Sequence, residues 1–308
     1  MSSPRSRWST FLPAVGLAAL CALFLPIGPA VDILAAAQVN QRSLTIGLLD
    51  KSNAPVTTIA VADLVVREDG VAREIVRVTP APPPTEIVLL IDDSQAAERA
   101  VRDLREALTA FAQTMADLTP PPAIRLATFG DRPTVAVDFN PTFSAVSRGI
   151  DRLFSRPGAG AQFLESINDT TDALRKRKAQ RPVIVAFVIE AGPEFGNYTH
   201  QQVRDMLRGA NASLWTLVLT VPGGGPSSDA ARERDMVLGD ITRESGGHNE
   251  EVLAIQNLPE AFTKLATQLT SRWEVTYGRP DTLVPPSRLE VQARSADMRV
   301  LSPQWVAR

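Results

Sequence analysis

The chain has 308 residues, of which 44% are hydrophobic and 21% are charged, and its formal net charge at pH 7 is −2. This composition predicts a packed globular core and excludes a largely disordered chain. Because the net charge is small, it also argues against nucleic acid or an anionic membrane as the main partner. The length suits one large domain or two small ones.

Residues 1–37 have the layout of a secretory signal peptide. Arg5 and Arg7 precede the apolar run FLPAVGLAALCALFLPIGPA, and small residues follow as far as Ala37. We expect cleavage after Ala37 and export to the periplasm or the extracellular space. The alternative is an uncleaved membrane anchor, which the prolines inside the run disfavour. The single cysteine, Cys21, lies in this segment, so cleavage leaves no thiol for disulfides, zinc or catalysis.

The next segment, residues 38–80, is predicted to form short strands. SLTIGLL is one strand, and ADLVVREDGVAREIVRV contains two that are joined at Asp69-Gly70. Asp-Gly between β-rich runs is a strong hairpin signal, because both turn positions need a positive φ. The prolines of TPAPPPTE donate no ladder hydrogen bonds, so residues 81–85 are predicted to be an extended linker.

Residues 86–271 alternate between apolar strands and amphipathic helices. EIVLLI, PVIVAFVI and SLWTLVLTV are continuous apolar runs, typical of strands that are buried on both faces of a parallel sheet. Apolar residues spaced three and four apart from Val101 to Leu118 predict the first helix. Further helices are expected at about 143–154, 162–178, 200–209, 229–245 and 258–271. This alternation implies crossover connections and a doubly wound, mostly parallel α/β sheet.

Residues 272–308 return to strands, RWEVTYG, SRLEVQA and MRVLSP, with no helix between them. Strands that follow each other without a crossover helix pair antiparallel, so we expect these three to do so. They are also candidates to join the sheet formed by the N-terminal segment, residues 43–80.

Three stretches, taken in order, carry a resemblance to a known family. They are DKSNAPVTTIAVADLVVREDGVAREI, PPPTEIVLLIDDSQA and ITRESGGHNEEVLAIQNLPEAFTKLATQLTSRWEVTYGRP. Their order and spacing resemble bacterial secreted proteins with a von Willebrand factor A-related domain, over about residues 40–305. The resemblance implies a von Willebrand factor A-like, Rossmann-type domain at 86–271. It also implies a small β appendage in which 272–308 pack with 38–80.

The resemblance implies a divalent-ion site at the carboxyl ends of the central strands. In the family, the ligands come from an Asp-x-Ser-x-Ser loop, a Thr in a second loop and an Asp in a third. In this chain Asp92 and Ser94 match the first two positions, and Glu190 stands where the last Asp is expected. We therefore take Asp92, Ser94 and Glu190 as the candidate metal ligands.

Other positions of that pattern have lost their oxygens. Ala96 replaces the second Ser, and Ala161 or Gly160 replaces the Thr. Because Mg²⁺ prefers six oxygen ligands, we expect a degenerate site with no cofactor, or with only weakly held Mg²⁺ or Ca²⁺. The alternative role of Asp92 and Asp93 is to cap the following helix.

No standard catalytic motif is present, since Gly-x-Ser-x-Gly, P-loop and His-Glu-x-x-His patterns are all lacking. A metal-dependent hydrolase using Asp92, Glu190 and His200 is the alternative function. VPGGGPSS, residues 221–228, reads as a flexible surface loop, with anion binding by its N–H groups as the alternative. The basic run LRKRKAQR, residues 174–181, reads as a solvated helix end rather than a nucleic-acid patch.

The sequence therefore predicts an exported, non-catalytic, adhesion-like module that binds a protein partner of unknown identity. Ligands of open α/β sheets gather at the carboxyl ends of strands, so the loops 92–97, 158–162 and 190–199 are the predicted binding rim. The longest of them, EAGPEFGNYTH, mixes acidic and aromatic residues, which suits a protein better than a small molecule. Neither nucleic acid nor, after cleavage, a membrane is expected as a partner.

Overall fold

The alternating pattern of the sequence forms three β-sheets and a set of helices in the computed structural model, which describes residues 39–220, 228–280 and 284–305. The signal-peptide prediction for 1–37 lies outside the described residues, and so does the loop hypothesis for 221–228 apart from Ser228. The described strands are β1 (Val39–Leu49), β2 (Leu64–Glu68), β3 (Val71–Arg73), β4 (Ile75–Pro80), β5 (Glu86–Ile91), β6 (Ala123–Thr128), β7 (Thr134–Asn140), β8 (Val183–Ile189), β9 (Ser213–Leu219), β10 (Asn249–Val252), β11 (Arg272–Pro280), β12 (Leu289–Ala293) and β13 (Arg299–Leu301).

The helices lie close to their predicted positions. They are α1 (Val101–Ala116), α2 (Phe143–Asp151), α3 (Phe163–Arg177), α4 (His200–Ala210), α5 (Asp229–Met236), α6 (Thr242–Glu244) and α7 (Leu258–Thr270). The predicted helix at 229–245 is interrupted by a π-helical turn, Val237–Ile241. None of the helices in the described ranges is long and apolar enough to cross a membrane.

The central sheet has six strands in the order β10-β9-β8-β5-β6-β7. All neighbouring pairs are parallel except β6 and β7, which are antiparallel. Alternate residues of β5 face opposite sides of the sheet: Leu89 joins the core formed with α1, α2 and α7, and Leu90 joins the core formed with α3 and α4. The predicted doubly wound, mostly parallel α/β sheet is therefore confirmed.

The sheet also contains β10, a strand that the sequence pattern did not indicate. It pairs in parallel with β9 at the edge of the sheet. Its sequence, NEEV, has only one apolar residue, and Val252 is its only buried position. An edge strand exposes much of its surface, so it lacks the apolar run that identified β5, β8 and β9.

The remaining strands form a β-sandwich that is built from both ends of the described chain. One sheet has the order β13-β1-β11-β4 and the other the order β12-β2-β3. Their facing side chains form a separate apolar core, to which Ile46, Val66 and Val275 contribute fully buried side chains. The expectation that the last three strands pair with each other is wrong. Each of them instead pairs antiparallel with an N-terminal strand, so the predicted β appendage formed by the N- and C-terminal segments is confirmed.

The hairpin at Asp69-Gly70 is confirmed. Both residues have positive φ, +47° and +83°, and they connect β2 to β3. The chain then leaves this sheet after Arg73, and β4 enters the other sheet beside β11. The second half of the predicted hairpin is thus divided between two sheets, because only its first residues pair with β2.

Candidate functional site

The loops 92–97, 158–162 and 190–199 meet near the ends of β5, β6 and β8. Ala161 forms isolated β-bridges with Gly130 on one side and with Glu194 on the other. Its amide donates to the Pro193 carbonyl at 2.8 Å, and its carbonyl accepts from the Phe195 amide at 2.9 Å. The loop 158–162 is therefore held between Gly130 and the loop 190–199 by backbone hydrogen bonds, as a strand is held in a sheet. The loops of the predicted rim thus lie together.

Asp92 follows β5 directly and is fully buried. Its Oδ1 accepts a hydrogen bond from the Ser94 amide at 2.9 Å, and its Oδ2 accepts one from the Ile189 amide at 3.2 Å. Burial raises the pKa of this carboxyl, while the hydrogen bonds act in the opposite direction. The Asp92 side chain thus links the end of β5 to the end of β8.

Asp93 links the loop after β5 to Gly130, just after β6, and to Arg156, which precedes the loop 158–162. Its Oδ2 accepts from Arg156 Nε at 2.8 Å, its Oδ1 accepts from the Gly130 amide at 2.6 Å, and its carbonyl accepts from the Arg156 amide at 2.8 Å. Neither aspartate caps the 3-10 turn Gln95–Ala97 or α1, since no side chain makes a cap hydrogen bond at the start of either. The capping interpretation is wrong because both carboxylates accept from groups that lie outside these helices.

Gly130 permits a close approach that no other residue allows. A methyl group at this position would lie 2.7 Å from Asp93 Oδ1 and 2.8 Å from the backbone nitrogen of Ser94. Both distances are shorter than ordinary van der Waals contact, and the second involves backbone that cannot rotate away. The absence of a side chain at 130 is therefore needed for the hydrogen bond between Gly130 and Asp93.

Ser94 and Glu190 each hold an oxygen without a partner. Ser94 is fully buried, and within the described part of the chain its Oγ accepts and donates no hydrogen bond. The Oε2 atom of Glu190 is buried and unpartnered in the same way, although its amide is fixed by the Leu219 carbonyl at 3.1 Å. A buried polar atom without a partner is unfavourable, so these two oxygens of the predicted ligands are available to a water, an ion or a partner atom.

A second cation of this region, after Arg156, is a residue that sequence reasoning missed. Arg234 of α5 is 1% exposed, and its guanidinium donates to the carbonyls of Gly192 at 3.1 Å and Glu190 at 3.2 Å. It also pairs with Asp235 at 3.0 Å. The guanidinium of a buried arginine is stabilised when its N–H groups find acceptors in this way. Arg234 thus holds the third loop, but nothing in its helical sequence, DAARERDM, indicates that this arginine points inward.

Two glutamates add an acidic centre beneath the same loop. Glu194 is 3% exposed, and its Oε1 accepts from the amides of Phe163 at 3.0 Å and Gly196 at 3.2 Å. Burial raises the pKa of Glu194 to about 8, Arg234 opposes the shift, and Glu165 adds to it. The Oε2 atoms of Glu194 and Glu165 are both buried and without a hydrogen-bond partner in the described residues. One proton on this pair lessens the repulsion between the two carboxyls.

The oxygen set fits a tightly held divalent ion poorly. Ala96 and Ala161 offer no side-chain oxygen, and both carboxylate oxygens of Asp92 already accept backbone hydrogen bonds. In the described ranges, no three His, Cys, Asp or Glu side chains are grouped closely enough to hold a metal. Of the predicted ligands Asp92, Ser94 and Glu190, the last two retain one free oxygen each, which is far short of the six that Mg²⁺ prefers.

The alternative hydrolase set is not brought together either. His200 begins α4, and its Nδ1 lies 2.7 Å from Glu233 Oε2, which also accepts from the His200 amide at 2.6 Å. These hydrogen bonds lower the pKa of Glu233. Since no metal-ligating group of three exists among the described side chains, His200 does not form one with Asp92 and Glu190.

Apolar side chains are exposed around these loops. Phe154 and Phe195 are each 60% exposed. The Phe195 ring lies over Gly160, where a methyl group would come within 2.2 Å of a ring carbon, and the Arg156 guanidinium lies 5.9 Å from the Phe154 ring centroid. We call Phe154 and Phe195 the rim phenylalanines. The sequence pattern placed Phe195 on this rim but assigned Phe154 to a helix face.

No family model and no curated protein matches the chain. Among solved structures it is similar to a von Willebrand factor type A protein from Catenulispora acidiphila, with 11% identity, 86% of this chain and 74% of that chain covered, and a TM-score of 0.48. It is also similar to the SpRpn10 VWA domain, with 17% identity, 57% of this chain and 93% of that chain covered, and a TM-score of 0.43. Its similarity to proximal thread matrix protein 1 from the mussel byssus has 11% identity and a TM-score of 0.48. That match covers 62% of this chain and 49% of the other, so the chain spans about half of that protein. Similarities of this size say nothing about what the chain binds; the α/β fold stands on its own strand order.

Proposed function

We propose that this chain is an exported, non-catalytic protein-interaction module that binds a protein partner through the loops at the carboxyl ends of its central strands. The observation that carries the proposal is the pair of rim phenylalanines, Phe154 and Phe195, each 60% exposed. Large aromatic side chains that protrude into solvent are characteristic anchors of protein interfaces. The predicted adhesion-like role of the von Willebrand factor A resemblance agrees with this location.

The rigidity of the loops supports the same role. Hydrogen bonds from Ala161 to the neighbouring loops, the Asp93–Arg156 ion pair and the buried Arg234 fix the backbone that carries the rim phenylalanines. A surface that is ordered before binding loses little conformational entropy when a partner docks. The arrangement therefore favours a partner that is recognised by shape and apolar contact.

Capture of the partner tests the proposal. The mature chain is immobilised and exposed to extracts of the cells that produce it, and bound proteins are quantified by mass spectrometry. We expect at least one protein to be retained by the wild type and depleted at least tenfold by Phe195→Ala and by Phe154→Ala. Val71→Ala is the control, because Val71 is 55% exposed but lies on β3 of the sandwich. Retention that neither aromatic substitution reduces would contradict the proposed binding surface.

The proposal includes weak or absent divalent metal at Asp92, Ser94 and Glu190. Melting temperatures measured with Mg²⁺, Mn²⁺ or Ca²⁺ at millimolar concentration should match those in chelator to within about a degree. Ser94→Ala is the matched variant, because Ser94 Oγ makes no hydrogen bond within the described structure and its removal leaves the loop contacts in place. A rise of several degrees in the wild type that Ser94→Ala abolishes would show a real metal site.

Export is the remaining part of the proposal, and its support is the arrangement of residues 1–37 in the sequence. We expect the N-terminal residue of the protein recovered from the producing cells to be Gln38. Recovery of the chain with Met1 intact in the membrane fraction would instead favour the uncleaved anchor.

A further inference from the structure

A cavity of about 500 Å³ lies at the opposite end of the parallel strands, between their amino ends and the β-sandwich. Residues just before β8 and β9, among them Pro182 and Ala212, form one wall. Residues of β1 and β11 form another. The cavity has the size of a small-molecule site, which is typically lined by apolar surface with a few placed polar groups.

Two arginines face this cavity without a carboxylate partner. Arg181 reaches Thr45 Oγ1 at 3.5 Å and the Pro82 carbonyl at 3.3 Å, and Arg272 reaches the Thr45 carbonyl at 3.4 Å. All three hydrogen bonds are long. Because both guanidinium groups contact Thr45, they lie close to each other. Neither forms an ion pair with any residue that the structure describes.

Arg272 is held in place by its surroundings rather than by an anion. Its guanidinium carbon lies 5.4 Å from the centroid of the fully buried Trp215 ring. Its Nε is buried and has no hydrogen-bond partner among the described residues. Burial lowers the pKa of Arg272 to about 10, and the nearby charge of Arg181 acts in the same direction. A buried donor and two like charges are both unfavourable until an oxyanion joins them.

The two carboxylates of the lining, Glu68 and Glu274, do not form ion pairs with these arginines in the described part of the chain. Glu68 is already engaged by Arg279 at 3.0 Å, by Arg73 at 3.0 Å and by the Tyr277 hydroxyl at 2.9 Å. Glu274 lies in the wall but forms no ion pair with either free arginine in the described structure. The sequence predicted the basic run 174–181 to be a solvated helix end. In the structure, its last residue, Arg181, lines the cavity.

We propose that this cavity binds a small organic molecule that carries a carboxylate or phosphate group. The oxyanion lies between Arg181 and Arg272, whose planar guanidinium groups match carboxylate and phosphate oxygens. The apolar body of the molecule lies against Trp305 and a rigid wall of prolines. These prolines are Pro82, Pro84, Pro182, Pro285, Pro286 and Pro303.

A set of four probes tests both parts of the proposal by titration calorimetry at fixed ionic strength. Acetate and benzoate carry a carboxylate, inorganic phosphate and phenyl phosphate carry a phosphate, and the second member of each pair adds a ring. We expect benzoate, phenyl phosphate or both to bind the mature chain at least tenfold more tightly than the ringless counterpart. The pair that binds identifies the head group.

Variants then locate the site. Arg181→Gln and Arg272→Met are each expected to weaken the bound probe at least tenfold, and Arg102→Gln should leave its affinity unchanged. Arg102 is the control because its side chain is 88% exposed on α1. Arg181 lies in a loop outside the strands, so Arg181→Gln keeps the test valid if Arg272→Met does not fold.

Several results would overturn the proposal. Binding of none of the four probes would remove the site, and undiminished binding by Arg181→Gln would place the anion elsewhere. An equal loss of binding in Arg102→Gln would indicate nonspecific attraction to positive charge. Equal affinities for ringed and ringless probes would show that the proline wall takes no part.

Discussion

The two ends of the parallel strands differ in whether their arginines are paired with carboxylates. At the carboxyl ends, Asp93 is paired with Arg156, and Arg234 is fully used by loop carbonyls and Asp235. At the amino ends, Arg181 and Arg272 face a cavity and have no carboxylate partner among the described residues. At the end that the resemblance associates with an ion, the closed end, the protein's own cations are thus already paired within the chain. Charge is available at the other end.

The largest effect is expected from opening the closed end at Arg234. In Arg234→Met, the carbonyls of Gly192 and Glu190 lose their donor, and the free energy of unfolding should fall by about 3 kcal/mol. Urea denaturation provides the measurement. Arg232→Met is the control, since the Arg232 side chain is 61% exposed, and it should change stability by less than about 0.5 kcal/mol. Similar midpoints for the two variants would mean that the buried arginine does not hold the loop.

A second way to disturb the closed end is to fill the space at Gly130. The methyl group of Gly130→Ala would lie within 2.8 Å of the Asp93 and Ser94 backbone, so the loops must separate. We expect a loss of about 2 kcal/mol by the same measurement. Gly239→Ala is the control, because nothing lies within 4 Å of its added methyl group and it sits in a helical turn. It should be neutral or slightly stabilising, and a comparable loss there would show that the close approach at 130 is unimportant.

Local signals in the sequence predicted the parts of the fold that depend on local physics. The continuous apolar runs of β5, β8 and β9 are what burial on both faces requires, and Asp69-Gly70 supplies the two positive φ angles of a hairpin. The positions of Asp92 and Glu190 at strand ends followed directly from those runs. These features are encoded within a few residues, so a single sequence suffices to find them.

Features that depend on distant partners were not predictable in this way. β10 is polar because its position at the edge of the sheet leaves much of it exposed. β12 and β13 pair with strands that lie more than 200 residues earlier in the chain. The inward direction of Arg234 depends on loop carbonyls 42 and 44 residues earlier in the chain. The sequence predicts a solvated helix end at Arg181, because nothing in that segment reveals the strand β11 across the cavity.

A smaller effect, which depends on pH, tests whether the buried Glu194 is protonated in the folded protein. The pKa of Glu194 is raised from 4.5 to about 8, so between these values the folded protein keeps a proton that the unfolded chain releases. Stability from this group is therefore present at low pH and is lost as the pH rises towards 8. We expect Glu194→Gln to remove a decline of about 1.3 kcal/mol between pH 6 and pH 7 in urea denaturation.

The control for that measurement is Glu98→Gln, because Glu98 is exposed and directly follows the loop 92–97. This variant should keep the wild-type dependence of stability on pH. If the curves for Glu194→Gln and wild type run parallel, then Glu194 is ionised in the folded protein at neutral pH. Glu194 would in that case carry a negative charge beneath the rim, and the description of this end as internally neutralised would be wrong.

The smallest effect is expected at the open end, in the absence of any ligand. Arg181→Gln removes one of two neighbouring positive charges and gives up only long hydrogen bonds of 3.3 to 3.5 Å. The free energy of unfolding should therefore rise slightly, by about 0.5 kcal/mol at low ionic strength, and the gain should shrink in 1 M NaCl because salt screens the repulsion. A loss of stability that is independent of salt would instead identify Arg181 as a structural link between the linker prolines and β1. The two outcomes have opposite signs, so this measurement decides whether the arginine pair is held ready for an anion or is satisfied by the chain itself.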